Sequence, residues 1–230
     1  MASLIQNINQ KYARHIITLE NPIEYLHRHD KSIVNQREIG TDAADYPQAL
    51  WAAVRQDPDV IMVGEMNDMD TISMVLNAAE NGHLVLASLH TTGAENTIER
   101  IIDVFPPAKQ QQIRIQLASV LECIISQQLI KRTDGEGRVA AMEILTVNQV
   151  IRSLIRDDKT YQLPSVMQSG RKLGMQTIMI LMMRMRWIRK MIFWKKRRYI
   201  SQKENRQNRK KDRIQEESFK MYEGENRRDV

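Results

Sequence analysis

The sequence has a single cysteine and no long apolar run. Cys123 alone excludes an internal disulfide and a four-cysteine zinc site, and its apolar surroundings (LASVLECIISQQL) predict a buried small residue. No apolar stretch approaches the roughly 18 residues that a membrane span needs. The first 15 residues lack the apolar centre of a secretion signal. These absences predict a cytosolic protein that does not cross a bilayer.

Positive charge is scarce in most of the chain and concentrated near its C-terminus. Residues 178–230 hold 17 of the 34 Lys and Arg residues but only 7 of the 28 Asp and Glu residues. Residues 1–177 therefore carry a net negative charge. The pattern predicts an acidic globular body followed by a basic tail.

Strand and helix patterns alternate along the body. The sequence predicts strands at 15–19, 32–39, 60–63 and 84–89. It predicts helices at 1–9, 46–55, 70–81, 96–104, 109–128, 148–157 and 163–169, and a hairpin at 129–145. This alternation predicts an α/β fold with a largely parallel sheet flanked by helices.

Three apolar runs, ITLENPIEY, DPDVIMVGE and GHLVLASLH, lead into Glu20, Glu65 and His90. In parallel α/β folds, ligands bind at the carboxyl ends of the strands. A carboxylate there can hold Mg²⁺ through water or orient a water for attack on a phosphoryl group, and His90 can hydrogen-bond a terminal phosphate. His83 starts the last strand and is expected at its other end. The alternative interpretation is a set of solvated surface side chains.

These motifs resemble those of the type II/IV secretion ATPases. ITLENPIEYLH is similar to the acidic Asp box of that family, RQDPDVIMVGEMND to its atypical Walker B segment, and AAENGHLVLASLHTTGA to its His box. Residues 150–177 resemble a motif of the PilT-type branch, the type IV pilus retraction ATPases. The resemblance implies a RecA-like P-loop ATPase core at 1–145, followed by a C-terminal helical region at 146–177.

The resemblance also implies roles for individual residues and names ATP and Mg²⁺ as cofactors. Glu65 would be the catalytic carboxylate that polarises the attacking water, and Glu20 and Glu24 would support Mg²⁺ and the phosphates. Glu20 and Glu65 would hold the metal through water. His90 would sense the γ-phosphate, and His83 would couple the nucleotide site to movement.

Two arginines, Arg37 and Arg55, lie where the family places arginines that reach the nucleotide of a neighbouring subunit. The resemblance to the retraction branch implies a homohexameric motor that acts in twitching motility. The implied partners are copies of this chain and the inner-membrane platform protein of the pilus, without a specific nucleic acid. The implied location is cytoplasmic, peripheral to the inner membrane at the pilus base.

The phosphate-binding loop of the family is missing, because GxxxxGK[ST] occurs nowhere in the sequence. In the family this loop and the first strand of the sheet come just before a helix similar to residues 1–9. We therefore expect the core to be partial and ATP binding to be weakened, because the loop grips the β- and γ-phosphates. Smaller departures are Asn21, where the family has Asp, and Trp51 and Asn67, where it commonly has Arg.

The basic tail at 178–230 has two interpretations. A reading-frame slip near codon 178 would make it a frameshifted or disordered segment. Alternatively, Trp187, Phe193 and Trp194 among basic residues would form an amphipathic stretch that binds membrane or nucleic acid. In either case the tail can bind anionic surfaces nonspecifically.

Three alternatives to an ATP-hydrolysing motor subunit stay open. The chain can be a catalytically inactive truncated subunit, since the phosphate loop is missing. It can be a binding protein that acts through its basic tail. It can also be a related type II secretion or DNA-uptake ATPase, although the segment 150–177 favours the retraction branch.

A missing sheet strand leaves an unpaired edge, so we expect the chain on its own to be poorly soluble or marginally stable. The measurement is thermal unfolding followed by circular dichroism. A cooperative transition above about 60 °C would contradict this expectation.

Overall fold

Four parallel strands form the central sheet of the computed structural model, which describes residues 1–132 and 136–178. The strands are β1 (His15–Glu20), β2 (Ile33–Glu38), β3 (Val60–Val63) and β4 (Leu84–Ala87). Their order is β2-β1-β3-β4, and each neighbouring pair is parallel. The two central strands are almost wholly buried because helices cover both faces of the sheet.

Seven α-helices accompany the strands in the described part of the chain. They are α1 (Ala2–Lys11), α2 (Tyr46–Val54), α3 (Met69–Glu80), α4 (Ala94–Asp103), α5 (Pro107–Val120), α6 (Gln149–Arg156) and α7 (Leu163–Ser169). The side chains of Asp45, Asp68 and Asn148 accept backbone N–H groups at the starts of α2, α3 and α6. The predicted α/β fold with a parallel sheet is therefore confirmed.

The hydrophobic core has two parts, one on each side of the sheet. The larger part joins the sheet to the helices that follow it and contains Ile17, Leu50 and Ile61. The smaller part lies under α1 and includes Ile5 and Ile16. Successive residues of β1 thus point to opposite faces and both find apolar neighbours.

The predicted helix at 109–128 is wrong beyond Val120. The backbone becomes extended at Leu121. Strand β5 (Cys123–Lys131) pairs antiparallel with β6 (Arg138–Thr146), so the predicted hairpin exists but begins earlier than residue 129. Burial alternates along β5, with Ile124 buried and Ile125 exposed, because only one face of the hairpin packs on the core. Cys123 lies on the outer face and is exposed, which corrects the prediction that it is buried.

A buried ion network ties the segment after α6 to α4 and α5. The guanidinium of Arg114, whose side chain is 8% exposed, pairs with Glu99 at 3.0 Å and with Asp158 at 2.7 Å. The Thr160 hydroxyl donates to the same Glu99 carboxylate. Burial on its own would raise the pKa of Glu99, but the hydrogen bonds from Arg114 and Thr160 and the charge of Arg114 outweigh it and lower that pKa.

Two sequence predictions remain without a test in the structure. The basic tail from residue 179 onward lies outside the described residues. The division between a core at 1–145 and a helical region at 146–177 stays a prediction. Within the described ranges, no helix is both long enough and apolar enough to cross a membrane.

Replacing Arg114 with methionine should lower the free energy of unfolding at pH 7 by roughly 2–4 kcal/mol, because it leaves the partly buried Glu99 carboxylate without its cation. Urea denaturation measures the change. Arg100→Met, at an exposed position of α4, is the matched control and should have a small effect.

The pH dependence of the same variants provides a second check on the network. The pKa of Glu99 is lowered in the folded state, so its stabilisation is present above the ordinary value near 4.5 and is lost as pH falls through the folded value. The stability of the unmodified chain should therefore fall more steeply below pH 5 than that of Arg114→Met. Parallel profiles would contradict the network.

Candidate functional site

Polar side chains meet at the carboxyl edge of the central sheet. The pairing of β1 with β3 continues past the last residue of β3, because the Gly64 N–H donates to the Leu19 carbonyl oxygen at 2.7 Å. Neighbouring parallel strands end on the same side of a sheet. Glu20 ends β1, Glu65 follows β3, and His90 lies three residues beyond β4. The structure thus brings these three predicted site residues to one edge.

The two central strands and Tyr46 approach one another closely at Gly64. A β-carbon on Gly64 would lie 3.1 Å from the Leu19 carbonyl oxygen, 3.1 Å from the Tyr46 hydroxyl oxygen and 3.3 Å from the α-carbon of Glu20. At these distances a β-carbon would displace its neighbours by a few tenths of an ångström. The lack of one lets the phenol of Tyr46 reach the backbone between the two carboxylates.

The Glu65 carboxylate is accessible from solvent. Its Oε2 lies 3.8 Å from Nε2 of His90, and the two side chains are 43% and 85% exposed. An exposed ion pair at this separation contributes little stabilisation, so both side chains remain available to a ligand. The side-chain amide of Asn67 donates to Glu65, and the Ser88 hydroxyl donates to the Gly64 carbonyl.

The Glu20 carboxylate is held by neutral donors. Its Oε1 accepts a hydrogen bond from the Thr18 hydroxyl at 2.7 Å and another from the Gln36 side-chain amide at 3.0 Å. Neither donor neutralises the negative charge, which leaves the carboxylate fixed in orientation and attractive to a cation. Glu24 is exposed in the loop that follows β1.

Sequence reasoning missed Tyr46, the first residue of α2. Its ring packs against the larger core, and its hydroxyl faces the strand ends at Gly64. Burial raises the pKa of Tyr46, and the negative charges of Glu65 and Glu20 raise it further. Nothing in the residue's sequence context pointed to the site, because a tyrosine at the start of a helix is ordinarily a packing residue.

The two predicted arginines contact other groups. The Arg37 guanidinium donates to the Gln56 side chain at 2.9 Å. The guanidinium carbon of Arg55 lies 3.7 Å from the centre of the Trp51 ring, one helical turn earlier in α2. In the described part of the chain, the structure therefore engages both arginines away from Glu20 and Glu65.

His83 lies at the opposite edge of the sheet, where β4 begins. Its Nδ1 is 2.7 Å from the Pro58 carbonyl oxygen, just before β3. The neighbouring Leu84 N–H donates to the Asp59 carbonyl at 3.0 Å. The structure does not bring His83 to the carboxylates, because a residue at the amino end of a parallel strand faces the other edge.

The amino end of α4, which follows the His90 loop, is held from the hairpin. Gly93 precedes the helix and has no side chain to cap it. Its N–H donates to the Ser126 hydroxyl at 3.0 Å, and the Ala94 N–H donates to the Glu143 carboxylate at 2.8 Å. A carboxylate is favourable at a helix N-terminus. Sequence reasoning missed both residues, although a glycine at a capping position indicates that the cap comes from elsewhere.

The donor set at the edge fits Mg²⁺ held mainly by water and phosphate. Mg²⁺ prefers oxygen ligands and usually binds through one or two carboxylates plus substrate phosphates. Glu20 and Glu65 supply two carboxylates. Across residues 1–132 and 136–178, no three His, Cys, Asp or Glu side chains are grouped so as to hold a metal by themselves.

Comparisons with known proteins identify the family of the chain. The family model described as "Type II/IV secretion system protein" matches residues 1–226. The chain is 49% identical over 178 residues to the twitching motility protein of Neisseria gonorrhoeae. The aligned segment covers 77% of this chain and 48% of that protein. It is 48% identical to the type IV pilus retraction ATPase PilT of Pseudomonas aeruginosa, with 77% and 52% of the two chains covered.

A solved structure of the pilus retraction motor PilT with bound ADP matches with a TM-score of 0.70 and 54% identity, covering 73% of this chain and 49% of that one. The chain spans about half the length of the curated relatives named above. The predicted resemblance to the retraction branch and the predicted RecA-like fold are confirmed by these matches. The chain belongs to the type II/IV secretion system protein family.

Proposed function

We propose that the chain provides the carboxylate-bearing part of an ATP-hydrolysing motor subunit that drives type IV pilus retraction. The observation that carries the proposal is the emergence of Glu20 and Glu65 from the adjacent ends of two neighbouring parallel strands, which approach closely at Gly64. The similarity to proteins named for twitching motility and pilus retraction supports it.

The two carboxylates take different roles in this proposal. Glu65 is solvent-accessible and bonded only to a neutral amide, so it can accept a hydrogen bond from a water and orient that water for attack. Glu20 is fixed by Thr18 and Gln36 and orients the water shell of the cation. When bound with ATP, Mg²⁺ offsets the negative charge of the β- and γ-phosphates.

The other predicted residues take further roles in the proposed motor. His90 donates a hydrogen bond to the terminal phosphate, and Glu24 supports the cation from the loop after β1. Arg37 and Arg55 act on the nucleotide of a neighbouring subunit in a homohexamer, which works at the inner-membrane platform of the pilus on its cytoplasmic side. His83 links the sheet to neighbouring elements through Pro58 and transmits movement.

A second candidate function is a catalytically inactive subunit. The sequence contains no GxxxxGK[ST], the motif whose backbone N–H groups and lysine hold phosphates in P-loop ATPases. Such a subunit would keep the carboxylate edge without turnover. The measurement of ATP turnover separates the two candidates.

Glu65→Gln should abolish ATP turnover by the purified chain, because an amide cannot accept the proton of the attacking water. Phosphate release from MgATP is the measurement, and we expect a drop of at least about 100-fold. Glu80→Gln is the matched control, since Glu80 ends α3 and accepts a hydrogen bond from Gln116 that an amide can also accept.

Turnover that persists in Glu65→Gln would contradict the proposed role of that residue. A folded wild-type chain that releases no phosphate would favour the inactive subunit.

Because Arg37 is proposed to act on the nucleotide of a neighbouring subunit, two inactive variants should restore activity when they are mixed in one hexamer. Arg37→Ala alone should lose roughly a thousandfold in rate. In an equal mixture of Arg37→Ala with Glu65→Gln, about a quarter of the shared sites regain both groups, so about a quarter of the activity should return. A mixture of Glu20→Gln with Glu65→Gln is the control and should stay inactive, because both residues serve the same subunit's site. No recovery in the first mixture would contradict a shared site.

A further inference from the structure

The phenol of Tyr46 occupies a fixed position at the start of α2. Asp45 caps this helix, since its carboxylate accepts the Gln48 N–H at 2.8 Å, and Pro47 stands in the first turn. The Tyr46 ring packs against the larger hydrophobic core. Both the backbone and the ring are therefore held in place, so the position of the hydroxyl is set by the fold.

The hydroxyl lies between the two carboxylate-bearing strand ends. Its oxygen is 3.1 Å from where a β-carbon of Gly64 would stand, and that same point is 3.3 Å from the α-carbon of Glu20. Glu65 follows Gly64 directly. Both carboxylates are near enough to act on the phenol electrostatically.

The hydroxyl has no hydrogen-bond partner among the described residues, whereas Glu20 already accepts two bonds from Thr18 and Gln36. A phenol is protonated at neutral pH and carries one donor. A partly buried donor normally has a partner, so this one is available to a bound molecule.

We propose that the Tyr46 hydroxyl donates a hydrogen bond to an oxygen of the terminal phosphate of the nucleotide held at the Glu20–Glu65 edge. The inference rests on the proposed function and adds a phosphate-binding residue that the sequence motifs do not contain. Two carboxylates repel a phosphate, and a neutral donor between them provides an attractive contact without adding charge. We assign the Tyr46 hydrogen bond to the terminal phosphate because Glu65 orients the water that attacks that phosphate.

Equilibrium binding of a fluorescent ATP analogue and its ADP counterpart, both with Mg²⁺, tests the proposal. Tyr46→Phe removes one hydrogen bond to a charged acceptor and should weaken ATP binding about tenfold, with ADP binding unchanged. The unfolding temperature should not change, because the hydroxyl bonds to no described residue. Tyr12→Phe is the matched control, since Tyr12 is 56% exposed between α1 and β1 and should leave ATP binding unaltered.

The outcomes separate this inference from the proposed function. If the wild-type chain binds ATP and Tyr46→Phe binds it equally well, the Tyr46 contact is wrong and the proposed function stands. An equal loss of ATP and ADP binding would also overturn the contact with the terminal phosphate. If the wild-type chain binds neither nucleotide, the proposed function fails and the inference fails with it.

Discussion

Where β3 ends, the Gly64 backbone donates a 2.7 Å hydrogen bond to the Leu19 carbonyl, and the candidate site is arranged around that contact. The bond holds the ends of the two central strands together beyond the last regular pair. The absence of a side chain on Gly64 leaves the space that the Tyr46 phenol fills. A β-carbon at this position would force the phenol or the strand ends to shift by a few tenths of an ångström. The geometry of the carboxylate edge therefore depends on one backbone contact and on the space that Gly64 leaves beside it.

Polar contacts between distant segments connect this edge to the rest of the fold. Glu143 and Ser126 from the hairpin hold the N-terminus of α4, directly after the loop that carries His90. The other side of α4 joins the buried network through Glu99, whose partner Arg114 also pairs with Asp158 in the segment after α6. A displacement of the His90 loop would thus alter contacts with both the hairpin and the C-terminal segment, because α4 is bonded to each.

Local sequence patterns predicted most of the fold but not every element. Strand β3 and helix α7 were predicted with their exact bounds, because a short apolar run between turn residues and a proline in a first turn are local signals. The segment after Val120 was assigned to a helix because Ile124 and Ile125 also fit a helical repeat. Pairing with β6 decides its conformation, and pairing is not visible in a local window.

The same limit applies to the site. Glu20, Glu65 and His90 could be predicted because each follows an apolar strand, and strand direction alone places them at one edge. Tyr46 and Glu143 reach the site or its loop from elements far away in sequence, through contacts that only the packed structure defines.

The stacking of Arg55 on Trp51 has a consequence for assembly. A guanidinium over an exposed indole is stabilised by about 0.5–1 kcal/mol, and any movement of Arg55 away from Trp51 gives up that stabilisation. In the proposed hexamer, a contact that draws Arg55 away from α2 would have to offset this small stabilisation by Trp51. The stacking would thus favour the free subunit slightly. The engagement of Arg55 would then depend on how strongly its target attracts positive charge.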